Sequence, residues 1–260
     1  MRLPRAAEIV ADELRSEILR GGTSGSGRLP PQEELLARFE VGLPSIREAL
    51  RILEVEGLIT VHRGNVGGAT VRLPDSYNVA YMVGMVLESR GVDLRDVATT
   101  IRRLEPICAE MCAENATPAT IAALRALVEE QRASIDDPPR FNSFARAFHS
   151  AVVDECGNAS MAVSVGSLVH LWTAQEQSWT ELATTQGRFP GGGTQKKIVE
   201  VHEKLIDAIE AGDTKAAARI SAAHLEAAQT YHLSVDKRPQ VQCAPLRYTE
   251  RQAKAPGRAT

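Results

Sequence analysis

Apolar residues in "RAAEIVADELRSEILRGG" recur at three- and four-residue spacing through Ile9, Val10, Leu14, Ile18 and Leu19, and a double glycine stops the pattern. That period places the apolar side chains on one face, so the stretch predicts a helix with one buried stripe. "GGTSGSG" offers a core nothing to hold and reads as a flexible link. In "PQEELLARFE" Pro31 opens a short helix with Leu35, Leu36 and Phe39 facing inward. After a tight turn at "VG", Pro44 begins a third helix with Ile46, Leu50, Leu53 and Val55 as its apolar positions and Gly57 as its end. The period then changes: "LITVHRGNVGGATVRL" sets β-branched residues on either side of "GNVGG", which predicts a hairpin with a glycine-rich tip. A helix, two helices joined by a tight turn, and a hairpin together predict a winged helix-turn-helix domain over residues 1–75.

"LPDSYN" breaks the periodicity near residues 73–78 and marks a domain boundary. Beyond it the pattern is helical almost throughout 78–233, with helices predicted at 78–89, 94–115, 118–134, 141–156, 158–183, 195–211 and 213–232. "ATPAT" supplies a cap with Pro118 in an opening position, "GN" and "AGD" separate consecutive helices, and "TTQGRFPGGGTQ" is a loop. The fold class is therefore mainly α, with a large helical bundle after the winged helix; bundles of this size place ligand sites between facing helices. Residues 234–260 combine basic residues and prolines without periodicity and read as a flexible tail.

Composition narrows the function. With 260 residues, 43% hydrophobic and 24% charged, the chain has the make-up of a globular protein, and low aromatic and high alanine content lean towards packed helices. Its net charge of −3 leaves no general basic field, so nucleic-acid contact needs a local patch. Residues 1–75 hold ten arginines against eleven carboxylates. Charge alone thus leaves open whether the winged helix meets DNA or another protein. Cys108 and Cys112 share one side of a helix without further soft ligands nearby, the pattern of buried reduced thiols more than of a zinc knuckle. No apolar run reaches membrane-spanning length and "MRLPRAAEIV" lacks a signal-peptide core, so a cytoplasmic location without membrane association is expected. HExxH, a phosphate-binding glycine loop and a nucleophile elbow are missing from the sequence, which argues against an enzyme.

The candidate chemistry lies in two places. Ser45, Arg47 and Arg51 occupy the helix that would enter the major groove, and His62, Arg63 and Asn65 occupy the wing, within reach of backbone or minor groove. In the bundle, His149, His202 and His224 each sit among apolar neighbours on a different helix. Singly, each reads as a hydrogen-bonded histidine; converging, neutral imidazoles suit a transition-series ion. His170, Trp172 and Trp179 share one long helix and either border a pocket or simply pack.

"LPPQEELLARF", "PSIREALRILEVEGLI" and "HRGNVGGATV", in that order, closely resemble the N-terminal domain of the GntR family of bacterial transcription regulators. The resemblance implies a homodimer on a pseudo-palindromic operator, with Arg47 at a DNA-contacting position and Arg63 at the wing position that enters the minor groove. Glu34 and Leu43 stand where the family often has basic residues, and Gly42 where it has serine or threonine, which implies a different operator or weaker phosphate clamping. "IRRLEPICAEMCAENATPATIAAL", "FARAFHSAVVDECGN" and "VEVHEKLIDAIEAGDTKAAARISAAHL" are similar to the FCD ligand-binding domain of the FadR-type branch. Many such domains hold zinc, nickel or a similar divalent metal with one aspartate and three histidines. His149, His202 and His224 match the histidines, whereas the aspartate position is Ala145, so water or an effector carboxylate would complete the site. Arg102 matches a cavity arginine that holds anionic effectors, although an i,i+3 pair with Glu105 also accounts for it. The expected function is an effector-responsive repressor released by a small acidic metabolite or an acyl-CoA, with Arg102 and the three histidines as effector-binding residues. A metal- or acyl-CoA-sensing regulator and an architectural DNA-binding protein are the alternatives.

Overall fold

The computed structural model describes residues 5–21, 27–62, 68–185, 192–235 and 240–243. The chain divides into two compact units, Met1–Asp75 and Ser76–Thr260.

The first unit contains α1 (Ala6–Leu19), α2 (Gln32–Phe39), α3 (Leu43–Val55), β1 (Ile59–His62) and β2 (Gly68–Val71). Val10, Leu14 and Ile18 of α1 pack with Leu35, Ile46 and Leu53 in a core closed by Ile59 and Ala69 of the hairpin. Ile9, Leu19 and Val55, expected inside, are 52%, 57% and 75% exposed. The interior lane of α1 is Ala7, Val10, Ala11, Leu14 and Ile18; its small residues let α3 approach, and Ile9 and Leu19 stand about a hundred degrees round from Val10 and Ile18, outside the lane. Gly57, at φ 79°, takes the left-handed conformation that stops α3 and turns the chain into β1. The strands are antiparallel, with Ile59 opposite Val71 and His62 opposite Gly68. Gly27 and Arg28, read from sequence as the end of a link and its neighbour, instead flank β2: Val71 donates to the Gly27 carbonyl at 2.8 Å and Leu29 to that of Ala69 at 2.8 Å.

The second unit is helical: α4 (Ser76–Ser89), α5 (Leu94–Asn115), α6 (Pro118–Ala133), α7 (Pro138–Asp154), α8 (Ala159–Thr185), α9 (Gly192–Glu210) and α10 (Thr214–Val235). Asp93, Thr117 and Asp137 accept backbone N–H groups at the starts of α5, α6 and α7, satisfying donors that a helix leaves open. α10 lies along α5, α8 packs on α4 and α7, and α6 is held between α7 and α9. One core gathers around Ile101, Leu171 and Trp172, another around Phe141, Phe148 and Ile206. Cys108, Cys112 and Cys156 are buried free thiols. Burial pushes Cys108 up to about 12 and Cys112 to about 11, so both stay protonated as small core residues.

Where it is described, the stretch expected to be a flexible tail, 234–260, meets the helical unit. α10 continues to Val235, and Gln240 bridges to Asp93. Val241 is buried and donates to the Val92 carbonyl at 3.1 Å; the Gln242 carbonyl accepts from Gln175 Nε2 at 2.6 Å. One buried valine, the backbone hydrogen bond of that bridge and the Gln175 side-chain bond make this stretch a clasp over the α4–α5 turn. Residues 236–239 and 244–260 of the expected tail lie outside the described residues. Among the described residues no helix is long and apolar enough to cross a membrane.

Candidate functional site

On α3, Ile46, Ala49 and Leu53 face the core, so the helical period turns Arg47 and Arg51 outward, where both are exposed, while Ser45 is half-buried. Arg51 makes a two-pronged pair with Glu48 at 2.9 and 2.7 Å. So exposed a pair is worth little and can be exchanged for a phosphate. Elsewhere in this unit, Arg15 bonds Asp12 and Glu56, and Arg38 bonds Glu17. Those pairs use up carboxylates, and Arg47 has no ion-pair partner among the described residues. Local pairing singles out what the near-equal charge count could not: Arg47 is available at a groove that it lines with Arg51, Gln32, Val61 and His62. His62 is exposed, with Nε2 3.1 Å from Thr70 Oγ1. Arg63 and Asn65 lie outside the described residues.

In the second unit His149 of α7, His202 of α9 and His224 of α10 converge, their ligand nitrogens all within 4.8 Å of one another. His224 Nε2 lies 3.1 Å from His202 Nε2 and 3.2 Å from His149 Nε2. Two of the three outer nitrogens are fixed from behind. His149 Nδ1–H donates to Glu105 Oε1 at 2.6 Å, and His202 Nδ1–H donates to Gln131 Oε1 at 2.8 Å. Because these oxygens only accept, the protons of both rings sit on Nδ1 and the Nε2 lone pairs point at one another. With metal–nitrogen bonds of about 2.0–2.1 Å, separations of 3.1 and 3.2 Å correspond to roughly 100° between ligands, close to a tetrahedral or octahedral face. The donor set, its spacing and its backing hydrogen bonds fit a divalent transition ion.

Electrostatics agree. Burial, then His224 and His149, hold His202 well below the usual histidine range. Burial and the neighbouring His149 bring His224 down to about 3. For His149 burial works in the same sense, but the charge of Glu105 and its hydrogen bond outweigh it and raise the value. The same carboxylate would stabilise a cation bound at Nε2. Phe148 stacks on the His202 ring at 4.2 Å and closes that side.

Two supporting residues escaped the sequence reading. Glu105 is only 2% exposed and serves His149, not Arg102; Gln131 is buried behind His202. The signal for Glu105 was its place on the stripe Ile101, Glu105, Cys108 and Cys112, where a carboxylate among buried apolar residues calls for a partner. Arg102 instead pairs with Glu226 at 3.0 Å and reaches Thr99 at 3.3 Å, and it lines neither chamber described next.

An inner chamber is bordered by Glu105, Ala145, Arg146, His149, Trp172 and His224. It adjoins an outer chamber of about 530 Å³ that includes Trp179, Val201 and Ile220. Asn142 lines both, with its amide donating to Thr180 Oγ1 at 2.9 Å. Both tryptophans thus border the cavity, whereas His170 packs edge-on against Tyr77.

The FCD domain family matches residues 96–227, and the family described as bacterial regulatory proteins, gntR family, matches residues 6–69. The HTH-type transcriptional repressor NanR of Klebsiella aerogenes is 30% identical over 161 residues, covering 59% of this chain and 60% of its own. The protein of the same name from Salmonella bongori is 30% identical over 175 residues, 66% of either chain. The chain therefore spans less than two thirds of the first of these relatives and 66% of the second. Among solved structures, Streptococcus agalactiae GntR, 21% identical, superposes with a TM-score of 0.63 over 86% of this chain and 99% of that one, a likeness of fold. With its winged helix and its helical bundle each matched, the chain belongs to the gntR family of bacterial regulatory proteins, among members whose second domain is an FCD domain.

Proposed function

We propose that the chain is an effector-responsive DNA-binding transcription regulator that acts as a repressor. As a homodimer it sets two copies of α3 into successive major grooves of a pseudo-palindromic operator, with Arg47 as the principal contact and Arg51 and the wing as supports. A small acidic metabolite entering the second unit releases it. The observation that carries this reading is the cluster of three histidines, two of which, His149 and His224, border a cavity, in the same chain as the exposed Arg47. An architectural DNA-binding protein has no use for such a cavity. The relatives' name, transcriptional repressor, supports the same reading.

His149, His202 and His224 would hold the ion, zinc or nickel by the nature of its imidazole donors. Bound there, it supplies a positive centre that attracts and orients an anionic oxygen. Ala145 contributes no ligand atom and borders the inner chamber, so a metabolite carboxylate has room to complete the coordination. Glu105 and Gln131 keep the imidazoles oriented. Glu105 is thereby committed to positioning His149.

Release requires the metabolite to prefer the arrangement that cannot bind DNA, and the coupling runs both ways. On an operator obtained by selection, a carboxylate that binds the metal-loaded protein is expected to weaken operator affinity, and operator to weaken carboxylate affinity by the same factor. Anisotropy titrations in both directions test this. Operator affinity indifferent to metal, carboxylates and acyl-CoA alike would instead establish the architectural reading.

A further inference from the structure

The outer chamber is larger and more apolar than a small metal-chelating acid requires. Trp179, Val201, Ile220, Ala223 and Ala227 contribute to its wall, and it shares Phe141, Asn142, Glu176, Ile198, His224 and Ala228 with the inner chamber, so one molecule can occupy both. We infer that the effector is an amphipathic monocarboxylate, whose charged end reaches the histidine chamber and whose hydrocarbon body lies in the outer one. The inference rests on the regulatory reading of this cavity and adds the chemical class of its ligand.

Three independent features lead there. A volume of about 530 Å³ is of the size that takes drug-sized molecules and buries most of their surface. An acid of a few heavy atoms would leave most of the apolar wall wet. Gln195 borders this chamber, is 3% exposed, and its Nε2 has no hydrogen-bond partner. Buried amide groups are paired in the great majority of cases, so an open N–H on a cavity wall points to a ligand that accepts a hydrogen bond. Charge supplies the third feature. The exposed Lys197, Lys204 and Arg219 border the outer chamber and have no ion pair among the described residues. Among the other exposed arginines of this unit, Arg125 pairs with Asp207, Arg132 with Glu203 and Arg140 with Glu130, while Arg90 and Arg103, away from the chamber, have no ion pair among the described residues. A cationic mouth draws an anion inward, and an apolar throat selects one with hydrocarbon.

The full-length protein, loaded with zinc, is titrated with straight-chain carboxylates from acetate to decanoate, with octanamide as the neutral counterpart and lactate and citrate as small acids. Calorimetry gives affinity, and fluorescence of the only two tryptophans, Trp172 and Trp179, reports the two chambers separately in W172F and W179F. Affinity is expected to rise about fourfold per methylene until the chamber is full, with octanamide at least tenfold weaker than octanoate. Ala223 is exposed on the chamber wall, so Ala223→Phe fills space without disturbing the core. It is expected to weaken octanoate at least tenfold while leaving lactate binding and Tm unchanged. Binding of lactate or citrate with no gain from added methylenes, or octanoate binding indifferent to Ala223→Phe, overturns the inference and leaves the regulatory reading intact. Binding of no acid at all overturns both.

Discussion

Glu105 shows how a single buried carboxylate organises the histidine centre. Its hydrogen bond to His149 Nδ1 at 2.6 Å fixes the ring's proton and turns Nε2 towards the other two imidazoles. Glu105→Gln keeps an acceptor but removes the charge, so metal affinity measured against a chelator is expected to fall roughly 10- to 100-fold with helix content intact; unchanged affinity would mean that Glu105 only packs. Acid sensitivity follows from the other two histidines. Their values in the folded protein lie below the ordinary one, so the unfolded chain binds more protons below about pH 6.5 and stability is lost as pH falls. His149, with its raised value, acts in the opposite sense through Glu105. With two against one, the Tm of metal-stripped protein is expected to drop from about pH 6.5 to pH 4, and His224→Gln to flatten that slope in scanning calorimetry. The histidines were legible in the sequence because each interrupts an apolar helical stripe. Arg102 was misleading because sequence spacing does not reveal that Glu226 of α10 lies beside it.

At the level of elements, period and punctuation carried most of the reading. The helices were visible in their apolar spacing, and Asp137 with Pro138 explains why α7 starts three residues before its first apolar position, Phe141. The clasp was not legible: four residues with one buried valine have no period, and their partners Val92, Asp93 and Gln175 are remote in sequence. Val241→Ala is expected to cost about 1–2 kcal/mol in urea unfolding through the cavity it leaves; no change would show that the clasp contributes nothing to the bundle. At the start of α3, Gly42 is the N-cap without a side-chain hydrogen bond. Its φ of −72° suits any residue, and a Cβ there would meet only Pro44 Cδ at 3.6 Å, an ordinary contact. Gly42→Ser is therefore expected to raise stability by a few tenths of a kcal/mol. A loss of Tm would contradict this account of the helix start.

For the whole molecule, a net charge of −3 says little about partners, because what matters is which arginines the carboxylates leave unpaired. Pairing of Arg15, Arg38 and Arg51 within the winged helix isolates Arg47 as the outward cation of α3, and no count of charges along the chain could single it out. The second unit holds a histidine-lined cavity whose service to a DNA reader is the central claim. Selection of bound duplexes from a random-sequence library, with the full chain and Arg47→Ala in parallel at fixed salt, tests it most directly. The account expects the wild type to enrich a motif with two-fold symmetry and Arg47→Ala to bind that motif about 1–3 kcal/mol more weakly. A wild-type library no more ordered than its input, or a motif bound equally by Arg47→Ala, would contradict it.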